Sequence, residues 1–511
     1  MTSAQICILI AIVAYLLVVV GIGVVFAKKS NTVDDFYLGG RKLGPLVTAM
    51  SAEASDMSSW LLMGLPGLAY ISGVADAAWT AIGLAAGTYV NWLIVAKRIR
   101  RYTKVAGDST TLPEFFSKRY RDQKNILNCI AALVIIIFFV PYTASGFAAC
   151  GKLFSSLFGM NYMSAMLMSA VVIVVYTALG GFLAASTSDF IQSIIMTIAL
   201  VIILGFGIHT AGGFDAVMEN AKGLSGYLSF TQTHSAGAAK PYGVLNMFSM
   251  LAWGLGYFGM PHILLRFMAI EDEKKLTLSR RVASIWVVIS LMAAVFIGIV
   301  GNAMSANQSI ETFKDTSTSE TIIVRIADLI SQHGILAALV AGVILAGILA
   351  ATMSTADSQL LAASSSVSKN IMKDFLKLNF TEKQGMIAAR VTVVVISVVA
   401  VLIARDENSS VFNIVSFAWA GFGAAFGPLV LLALFWRRSN QYGAFAGMIV
   451  GGVMVFVWKY LVRPLGGLWD IYELLPAFVA ACAAIVVVSL LTAAPSKEIT
   501  DEFDKVKAMG A

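Results

Sequence analysis

Two acids and four serines share one short stretch of an otherwise apolar region, residues 51–60. An ionised side chain at the centre of a bilayer costs about 2.5 to 3.5 kcal/mol even on insertion scales, so we expect Glu53 and Asp56 to face a cavity or an ion path. A kinked helix whose serines bond back to its own carbonyls is the alternative interpretation. This stretch is the first candidate for a site that binds an ion or a polar solute.

A second polar cluster supplies oxygen ligands of the kind that sodium prefers. Hard cations bind several oxygen atoms, and the hydroxyls of Ser354 and Thr355 with the Ala351 carbonyl offer three within one helix turn. The carbonyls of Ala54 and Met57, in the first cluster, could complete the set. Serine and threonine in membrane helices also bond to their own backbone or pack against a neighbouring helix, and this alternative stays open.

A third irregular stretch, residues 252–261, has three glycines and a proline inside an apolar segment. Glycine and proline weaken the helical hydrogen-bond ladder, although small residues also serve close helix packing. The first and third stretches fall in the second and seventh apolar spans, so the odd offset makes them cross the bilayer in opposite directions. Inverted repeats have this parity, and their discontinuous helices bind solute and coupling ion at mid-depth. The pattern predicts a secondary transporter that works by alternating access.

The composition excludes an ordinary soluble enzyme. Of 511 residues, 58% are hydrophobic and 13% are charged, with a mean hydropathy of +0.82, whereas soluble domains carry about 25% charged residues. Lipid must therefore be the solvent for most of the apolar surface. The net charge of +7 does not imply nucleic acid here, because in a membrane protein the position of the charges matters more than their sum.

Thirteen apolar stretches are long enough for a bilayer core, which needs about 20 residues. They are residues 3–26, 46–70, 75–95, 126–150, 162–182, 189–209, 243–266, 282–302, 336–366, 386–404, 411–435, 441–461 and 470–492. If the N-terminus is outside, the inner loops and the C-terminus hold 28 of the 36 basic residues, including Lys28, Lys29 and Arg266. The positive-inside rule therefore predicts an outer N-terminus and an inner C-terminus.

These spans divide the chain into six segments. They are an extra first span with its inner loop (1–45), a first inverted repeat of spans 2–6 (46–209), an external loop (210–242), a second inverted repeat of spans 7–11 (243–435), two peripheral spans (436–495) and a charged cytoplasmic tail that we expect to be solvated (496–511). The first span lacks a basic leader and a cleavage site, so we expect it to be retained. The four cysteines and four histidines are scattered, which predicts neither a disulfide framework nor a transition-metal site.

Motifs along nearly the whole chain carry a resemblance to a known family. They are residues 34–41, 55–58, 60–67, 180–184, 253–257, 261–264, 353–355 and 419–428. By these motifs the chain resembles the sodium/solute symporter family, and within it the proline-transporting members. The resemblance implies an all-α polytopic membrane protein with the five-plus-five inverted repeat of the leucine-transporter-type fold, and it implies sodium-coupled import of L-proline.

The resemblance also implies a main sodium site and a proline pocket. The sodium residues would be Ala54, Met57, Ala351, Ser354 and Thr355, with Asp56 as the acid that sodium-dependent transport requires. The pocket residues would be Ser58, Trp60, Tyr142, Trp253, Tyr257 and Pro261. Proline is a small zwitterion with an apolar ring, which suits flat aromatic walls and a few polar groups.

Four positions depart from the pattern of the proline-transporting members. They are Glu53 and Ser59 in place of glycines, Met260 in place of a glutamine, and Asp357 in place of a serine. The first three touch the pocket region, so a sodium symporter for another small zwitterion or organic solute is the alternative. Some members bind a second sodium beside positions that correspond to Asp189, Asp357 and Ser358, which makes these residues a hypothesis for a second ion site. The alternatives are protonation of one of the two acids and, for Asp189, a role at a helix start.

Two other function classes fit the sequence less well. A channel needs a continuous polar pore, whereas here the polar residues cluster at mid-depth. An intramembrane enzyme would need a nucleophile and base, or metal ligands, beside Glu53 and Asp56, and the sequence offers none. We therefore expect a protein of the bacterial cytoplasmic membrane that is not an enzyme, with sodium as coupling ion, no cofactor, and neither nucleic acid nor an obligate protein as partner.

Overall fold

A computed structural model describes residues 2–27 and 32–509, so the predicted inner-loop lysines Lys28 and Lys29 lie outside the described residues. The chain folds as helices joined by mostly short connections. The first ten are α1 (Ser3–Ala27), α2 (Val33–Leu38), α3 (Pro45–Asp56), α4 (Leu65–Ser72), α5 (Val74–Val90), α6 (Ala96–Val105), α7 (Leu112–Arg119), α8 (Ile126–Phe158), α9 (Tyr162–Thr210) and α10 (Phe214–Gly223).

The second half is also helical. Its helices are α11 (Val244–Leu251), α12 (Pro261–Ala269), α13 (Leu276–Ala306), α14 (Thr316–Ser319), α15 (Ile322–Ser331), α16 (Ile335–Ser365), α17 (Glu382–Ile403), α18 (Val411–Phe435), α19 (Gln441–Val457), α20 (Leu474–Leu491) and α21 (Lys497–Ala508). Short 3₁₀ or π-helical segments link or extend them at Gly39–Arg41, Trp60–Gly64, Asn91–Val95, Ala252–Phe258, Glu273–Lys275, Ser366–Phe375, Trp458–Val462, Arg463–Leu465 and Gly467–Trp469.

A small antiparallel hairpin departs from the all-helical expectation. Its strands are β1 (Gln232–Ser235) and β2 (Ala238–Pro241), with Ser235 opposite Ala238. It lies in the stretch 210–242 that the sequence places outside the membrane.

Ten helices of the described residues are long and apolar enough to cross a bilayer, or eleven if the bent pair Val244–Phe258 and Pro261–Ala269 is one span. The expected multi-pass membrane protein is thus confirmed, although the predicted number of thirteen is not. The predicted span 46–70 is broken into pieces that are too short for this criterion. The predicted spans 162–182 and 189–209 run together in the 49-residue α9, which Gly181 interrupts with φ 65° and ψ −170°.

The predicted second span is discontinuous, as its polar residues led us to expect. α3 ends at Asp56, and Met57 has φ −75° and ψ 51°, outside the helical range. The Met57 N–H still donates to the Glu53 carbonyl at 2.8 Å, and the Ser58 N–H donates to the Asp56 carbonyl at 2.8 Å, so the chain makes a tight turn. A π-helical turn, Trp60–Gly64, then leads into α4. The break leaves Asp56 and Ser58 between two helix ends.

The predicted seventh span is discontinuous as well and bends by 43°. α11 passes into the 3₁₀ segment Ala252–Phe258, Met260 is extended, and Pro261 begins α12. A Cβ atom at Gly254 would lie 2.2 Å from the carbonyl oxygen of Gly83 in α5. The glycines of this stretch therefore serve both a helix break and close helix packing, the two interpretations that the sequence left open.

The extra first helix covers α16, which carries two of the predicted sodium hydroxyls. α1 packs against both α9 and α16. The buried Tyr15 hydroxyl accepts from Gln192 Nε2 at 3.0 Å and lies 3.8 Å from Met353 Sδ, next to Ser354. α1 is thus part of the packing around the candidate site.

The C-terminal helix departs in part from the expectation of a solvated tail: its charged side chains are mostly exposed, but its apolar face is buried. Ile499, Phe503 and Val506 of α21 are buried. Arg121 binds Glu502 at 2.7 Å, and α21 packs against α6. The spacing of the three apolar residues is that of an amphipathic helix, whereas the sequence analysis considered only the charges of this segment.

Candidate functional site

The predicted sodium residues meet where α3 ends beside α16. The Ser354 hydroxyl lies 2.8 Å from the Ala54 carbonyl and 3.2 Å from the Ala351 carbonyl. The Thr355 hydroxyl donates to the Ala351 carbonyl at 3.1 Å. Met57 follows directly at the helix break, and all five residues are buried. Oxygen atoms from residues 300 positions apart in the chain therefore lie together.

Asp56 lies in the same break and connects three helical segments. Its Oδ2 accepts a hydrogen bond from the Tyr257 hydroxyl at 2.5 Å, and its backbone carbonyl accepts one from Tyr142 at 3.4 Å. Its Oδ1 is buried and has no hydrogen-bond partner among the described residues. Because a buried polar atom without a partner is costly, this oxygen fits a cation as its missing partner.

Two tryptophans of the predicted pocket come together from the two discontinuous helices. The ring centroids of Trp60 and Trp253 are 5.9 Å apart, and both side chains are 1% exposed. Tyr257 lies one helix turn beyond Trp253 in the chain and is also buried. Pro261, the last predicted pocket residue, begins α12. Closely packed aromatic rings therefore close this part of the site.

Three aromatic residues of this cluster were not predicted as pocket residues. Phe412 and Tyr472 lie with ring centroids 5.2 and 5.4 Å from Trp253. Trp419 donates from Nε1 to the Trp253 carbonyl at 2.7 Å and packs against Tyr257 at 5.1 Å. Trp419 belongs to a motif that supports the family resemblance, so a signal for it existed, whereas the sequence offered none for Phe412 and Tyr472.

A small cavity without room for a water molecule lies beside the predicted sodium residues. It is lined by Ser58, Tyr142, Thr143, Ser145, Gly146, Thr352, Thr355, Ala356 and Gln359. The predicted pocket residues thus fall into two neighbouring groups, with hydroxyls around this cavity and aromatic rings around Trp253. Gln359 was not predicted, and its Nε2 is buried without a hydrogen-bond partner in the described part of the chain.

The residues of the second-ion hypothesis surround the guanidinium group of Arg266. Arg266 Nη2 lies 3.2 Å from Asp189 Oδ2 and 2.5 Å from the Ser358 hydroxyl. Asp357 Oδ1 lies 3.1 Å from the same hydroxyl. The assignment of Arg266 to an inner loop was wrong, because its side chain is 1% exposed within α12. Asp189 and Ser358 lie 77 and 92 residues away in the chain, so no local pattern indicated these contacts.

Ion pairs connect the helices at both ends of the site. At one end, Lys152 binds the fully buried Glu320 at 2.8 Å, and Glu320 also caps the first turn of α18. At the other end, Lys369 binds Asp34 at 2.8 Å and Glu114 at 3.3 Å. Burial raises the pKa of the Glu114 carboxyl, but neighbouring lysines, above all Lys369, outweigh burial and lower it to about 2. Ion pairs therefore link helices on both sides of the site.

A profile of the sodium:solute symporter family matches residues 36–451. The chain belongs to this family. It is 42% identical over 505 residues to the sodium/proline symporter of Haemophilus influenzae, and the aligned region covers 98% of this chain and 97% of that protein. It is 41% identical over 485 residues to the high-affinity proline transporter of Bacillus subtilis, and the aligned region covers 94% of this chain and 98% of that protein.

The solved structures show that the fold is shared as well. The structure of this chain matches that of a sodium-coupled sialic acid symporter, solved in a substrate-bound outward-open state, with a TM-score of 0.78. The two are 19% identical, and the match covers 96% of this chain and 99% of that one. The protein is thus a multi-pass helical membrane protein with the fold of a symporter.

Glu53, one of the four departures that the resemblance indicates, is directed at the end of α5 and the turn that follows it. Its Oε1 accepts hydrogen bonds from Trp92 Nε1 at 2.7 Å and from the Thr88 hydroxyl at 3.1 Å. Ser59 and Met260, two other departures, are fully buried. All three therefore lie within the protein interior rather than on its surface.

Proposed function

We propose that this protein is a sodium-coupled symporter that imports L-proline by alternating access across the cytoplasmic membrane of a bacterium. The meeting of Ala54, Ala351 and Ser354 at the break of α3 is the observation that carries the proposal. Sequence identities of 41 and 42% to two proteins named as proline transporters, over nearly the full length, support the solute.

Sodium, the coupling ion and a cargo, would bind to oxygen atoms of both clusters. The candidates are the carbonyls of Ala54, Met57 and Ala351 and the hydroxyls of Ser354 and Thr355, a set that suits a hard cation. Asp56 would supply negative charge from the same break. No covalent step and no cofactor are needed, because the sodium gradient drives the cycle.

Proline would bind between two sets of side chains in the site, the residues that carry hydroxyls and the aromatic rings around Trp253. The rings of Trp60 and Trp253 offer apolar walls for the pyrrolidine ring. The hydroxyls of Ser58 and Tyr142 offer hydrogen bonds at the polar side, and an aromatic face or acidic oxygen suits the cationic amine. Tyr257 and Pro261 complete the proposed pocket.

Coupling would arise because ion and solute share one break in the chain. Met57 is a proposed sodium ligand, and the proposed solute residues Ser58 and Trp60 follow within three positions. An ion that orders this segment therefore raises the affinity for the solute, and the solute raises the affinity for the ion by the same factor, typically about 5- to 150-fold.

The proposed membrane topology has thirteen crossings, with the N-terminus outside and the C-terminus inside. The 49 residues of α9 would span about 73 Å if fully helical, which is enough for two crossings separated at Gly181. The broken segments Pro45–Asp56 and Trp60–Ser72 would form one further crossing. The segments 46–209 and 243–435 would then be the two inverted repeats, with 1–45 preceding them, 210–242 as the external loop between them, 436–495 as peripheral spans and 496–511 as the inner tail.

Thermal unfolding of the purified protein tests the solute and the ion together. We expect L-proline to raise the apparent unfolding temperature in sodium chloride and to have little effect in choline chloride at equal ionic strength, because only binding to the native state stabilises. Sialic acid, a sugar and other small zwitterions serve as comparison solutes. Sodium-dependent stabilisation by another solute and not by proline would replace the substrate and leave the sodium-coupled mechanism in place.

A further inference from the structure

The guanidinium group of Arg266 is held by hydrogen bonds from all three of its nitrogen atoms. Nε donates to the Ser51 hydroxyl at 3.0 Å, and Nη1 donates to the His262 carbonyl at 3.0 Å. Nη2 donates to Asp189 and Ser358. An aromatic ring also lies 5.0 Å from the centre of the group. These contacts fix a positive charge within the membrane-spanning part of the protein.

This fixed charge uses two of the oxygen atoms that a second ion would need, Asp189 Oδ2 and the Ser358 hydroxyl, while Asp189 Oδ1 and Asp357 Oδ2 have no hydrogen-bond partner among the described residues. Asp189 Oδ2 also accepts from the Ser51 hydroxyl at 2.6 Å, so Arg266, Ser51 and Asp189 form a closed ring of hydrogen bonds. A sodium ion bound to Asp189 Oδ2 and the Ser358 hydroxyl would have to displace this ring. Two cations at adjacent positions in a medium of low dielectric constant also repel each other strongly.

The cluster lies one helix turn from the proposed main sodium residues. Ser51 precedes Ala54 by three positions on α3. The Ser358 hydroxyl lies 2.9 Å from the carbonyl of Ser354, whose own hydroxyl contacts Ala54. Arg266 therefore connects α3, α9, α12 and α16 directly beside the proposed ion path.

We propose that Arg266 is a tethered cation that takes the place of a second sodium ion, so that each solute molecule moves with a single sodium ion. The inference rests on the proposed sodium-coupled function and identifies the residue that sets its ion number. Arg266 carries the same charge as sodium, forms an ion pair with the acid on α9, and belongs to α12, the second half of a discontinuous helix. The positive charge thus stays with the protein and is not transported.

A sodium titration of the apparent unfolding temperature, in sodium and choline chloride at constant ionic strength, tests this inference. We expect a slope of about one bound sodium ion for the unmodified protein and of about two for Arg266→Gln, because the variant frees Asp189 and Ser358. If Arg266→Gln does not fold, the double variant Arg266→Gln with Asp357→Ser removes one of the two uncompensated acids and is expected to give the same second ion.

Two matched variants control for the loss of a buried arginine. Arg266→Lys retains the charge and is expected to keep a slope of about one. Arg119→Gln removes an equally buried arginine that contacts the Ala433 carbonyl, away from the acids, and is expected to keep that slope as well.

The titration contains no solute, so its result does not depend on whether proline is the substrate. A slope of about two in the unmodified protein, or of about one in the neutral variants, would overturn the role of Arg266 alone. A protein without any sodium response would overturn the proposed main sodium site together with this inference.

Discussion

The hydrogen bond from Tyr257 to Asp56 joins the two discontinuous helices at the candidate site. Tyr257→Phe removes a hydrogen bond to a charged group, which contributes about 1.5 to 3 kcal/mol. We therefore expect the concentrations of sodium and solute at half-maximal uptake to rise roughly ten- to a hundredfold. Initial uptake rates in membrane vesicles measure both. Tyr442→Phe, at an exposed tyrosine, serves as the control, and unchanged ion dependence in Tyr257→Phe would argue against a role of this contact in coupling.

The Ser354 hydroxyl is the atom that bridges the two oxygen clusters. Ser354→Ala removes a proposed sodium ligand, so we expect the sodium concentration at half-maximal uptake to rise about tenfold. The affinity for the solute at saturating sodium should change little. Ser366→Ala is a matched control, because Ser366 is also buried and its hydroxyl bonds, among the described residues, only to the Ala362 carbonyl one turn away, at 2.9 Å. Equal effects of the two substitutions would indicate a packing role for Ser354.

Individual residues of the candidate site could be recognised in the sequence where a polar residue lies in an apolar span. Asp56 and Ser354 stand out as polar residues in apolar spans, and the structure brings their segments together. Arg266 was missed because its position near the end of a span gave it the appearance of an inner-loop charge. Only the folded chain, in which Asp189 and Ser358 become its neighbours, reveals the contact.

At the scale of elements, both discontinuous helices were predictable because their causes are local. Met57 to Ser59 interrupt α3 among serines and acids, and Pro261 begins α12 after a run of glycines. The docking of α21 depends on Tyr102 and Arg121, nearly 400 residues earlier, and its amphipathic pattern names no partner. Sequence reasoning therefore identified the breaks and missed the contact of the tail.

Close contact between α5 and the second discontinuous helix should tolerate no side chain at Gly254. In Gly254→Ala the new Cβ would lie 2.2 Å from the Gly83 carbonyl, so we expect overpacking to lower the free energy of unfolding by about 1 to 3 kcal/mol. Gly205→Ala in α9 is the control, because no atom of a neighbouring element in the described part of the chain lies within 4 Å of its Cβ position. Thermal unfolding measures both, and a Gly254→Ala protein as stable as the control would contradict this packing.

At the scale of the whole molecule, ion pairs link the helices at both ends of the candidate site. Lys152 with Glu320 and Lys369 with Asp34 and Glu114 connect helices on opposite sides of the proposed ion path. In an alternating-access cycle each set of contacts must open while the other holds. The family resemblance indicated this architecture, but the residues that close the two ends lie far apart in the chain and were not predictable.

The proposed topology places Lys240 outside and Lys377 inside, both at exposed positions. In a variant whose four cysteines are replaced, we expect a membrane-impermeant maleimide to label Lys240→Cys in intact cells and Lys377→Cys only after permeabilisation. The positive-inside rule and the paired crossings of α9 give this expectation. Labelling of both positions from the same side would require a different number of crossings between them.

Uptake of radiolabelled L-proline into proteoliposomes is the measurement that tests the central claim most directly. With an inward sodium gradient we expect accumulation above the external concentration, blocked by excess unlabelled proline and lost when choline replaces sodium. Asp56→Asn should abolish the accumulation. Proline uptake that is independent of sodium, or sodium-driven uptake that proline does not inhibit, would contradict a sodium/proline symporter.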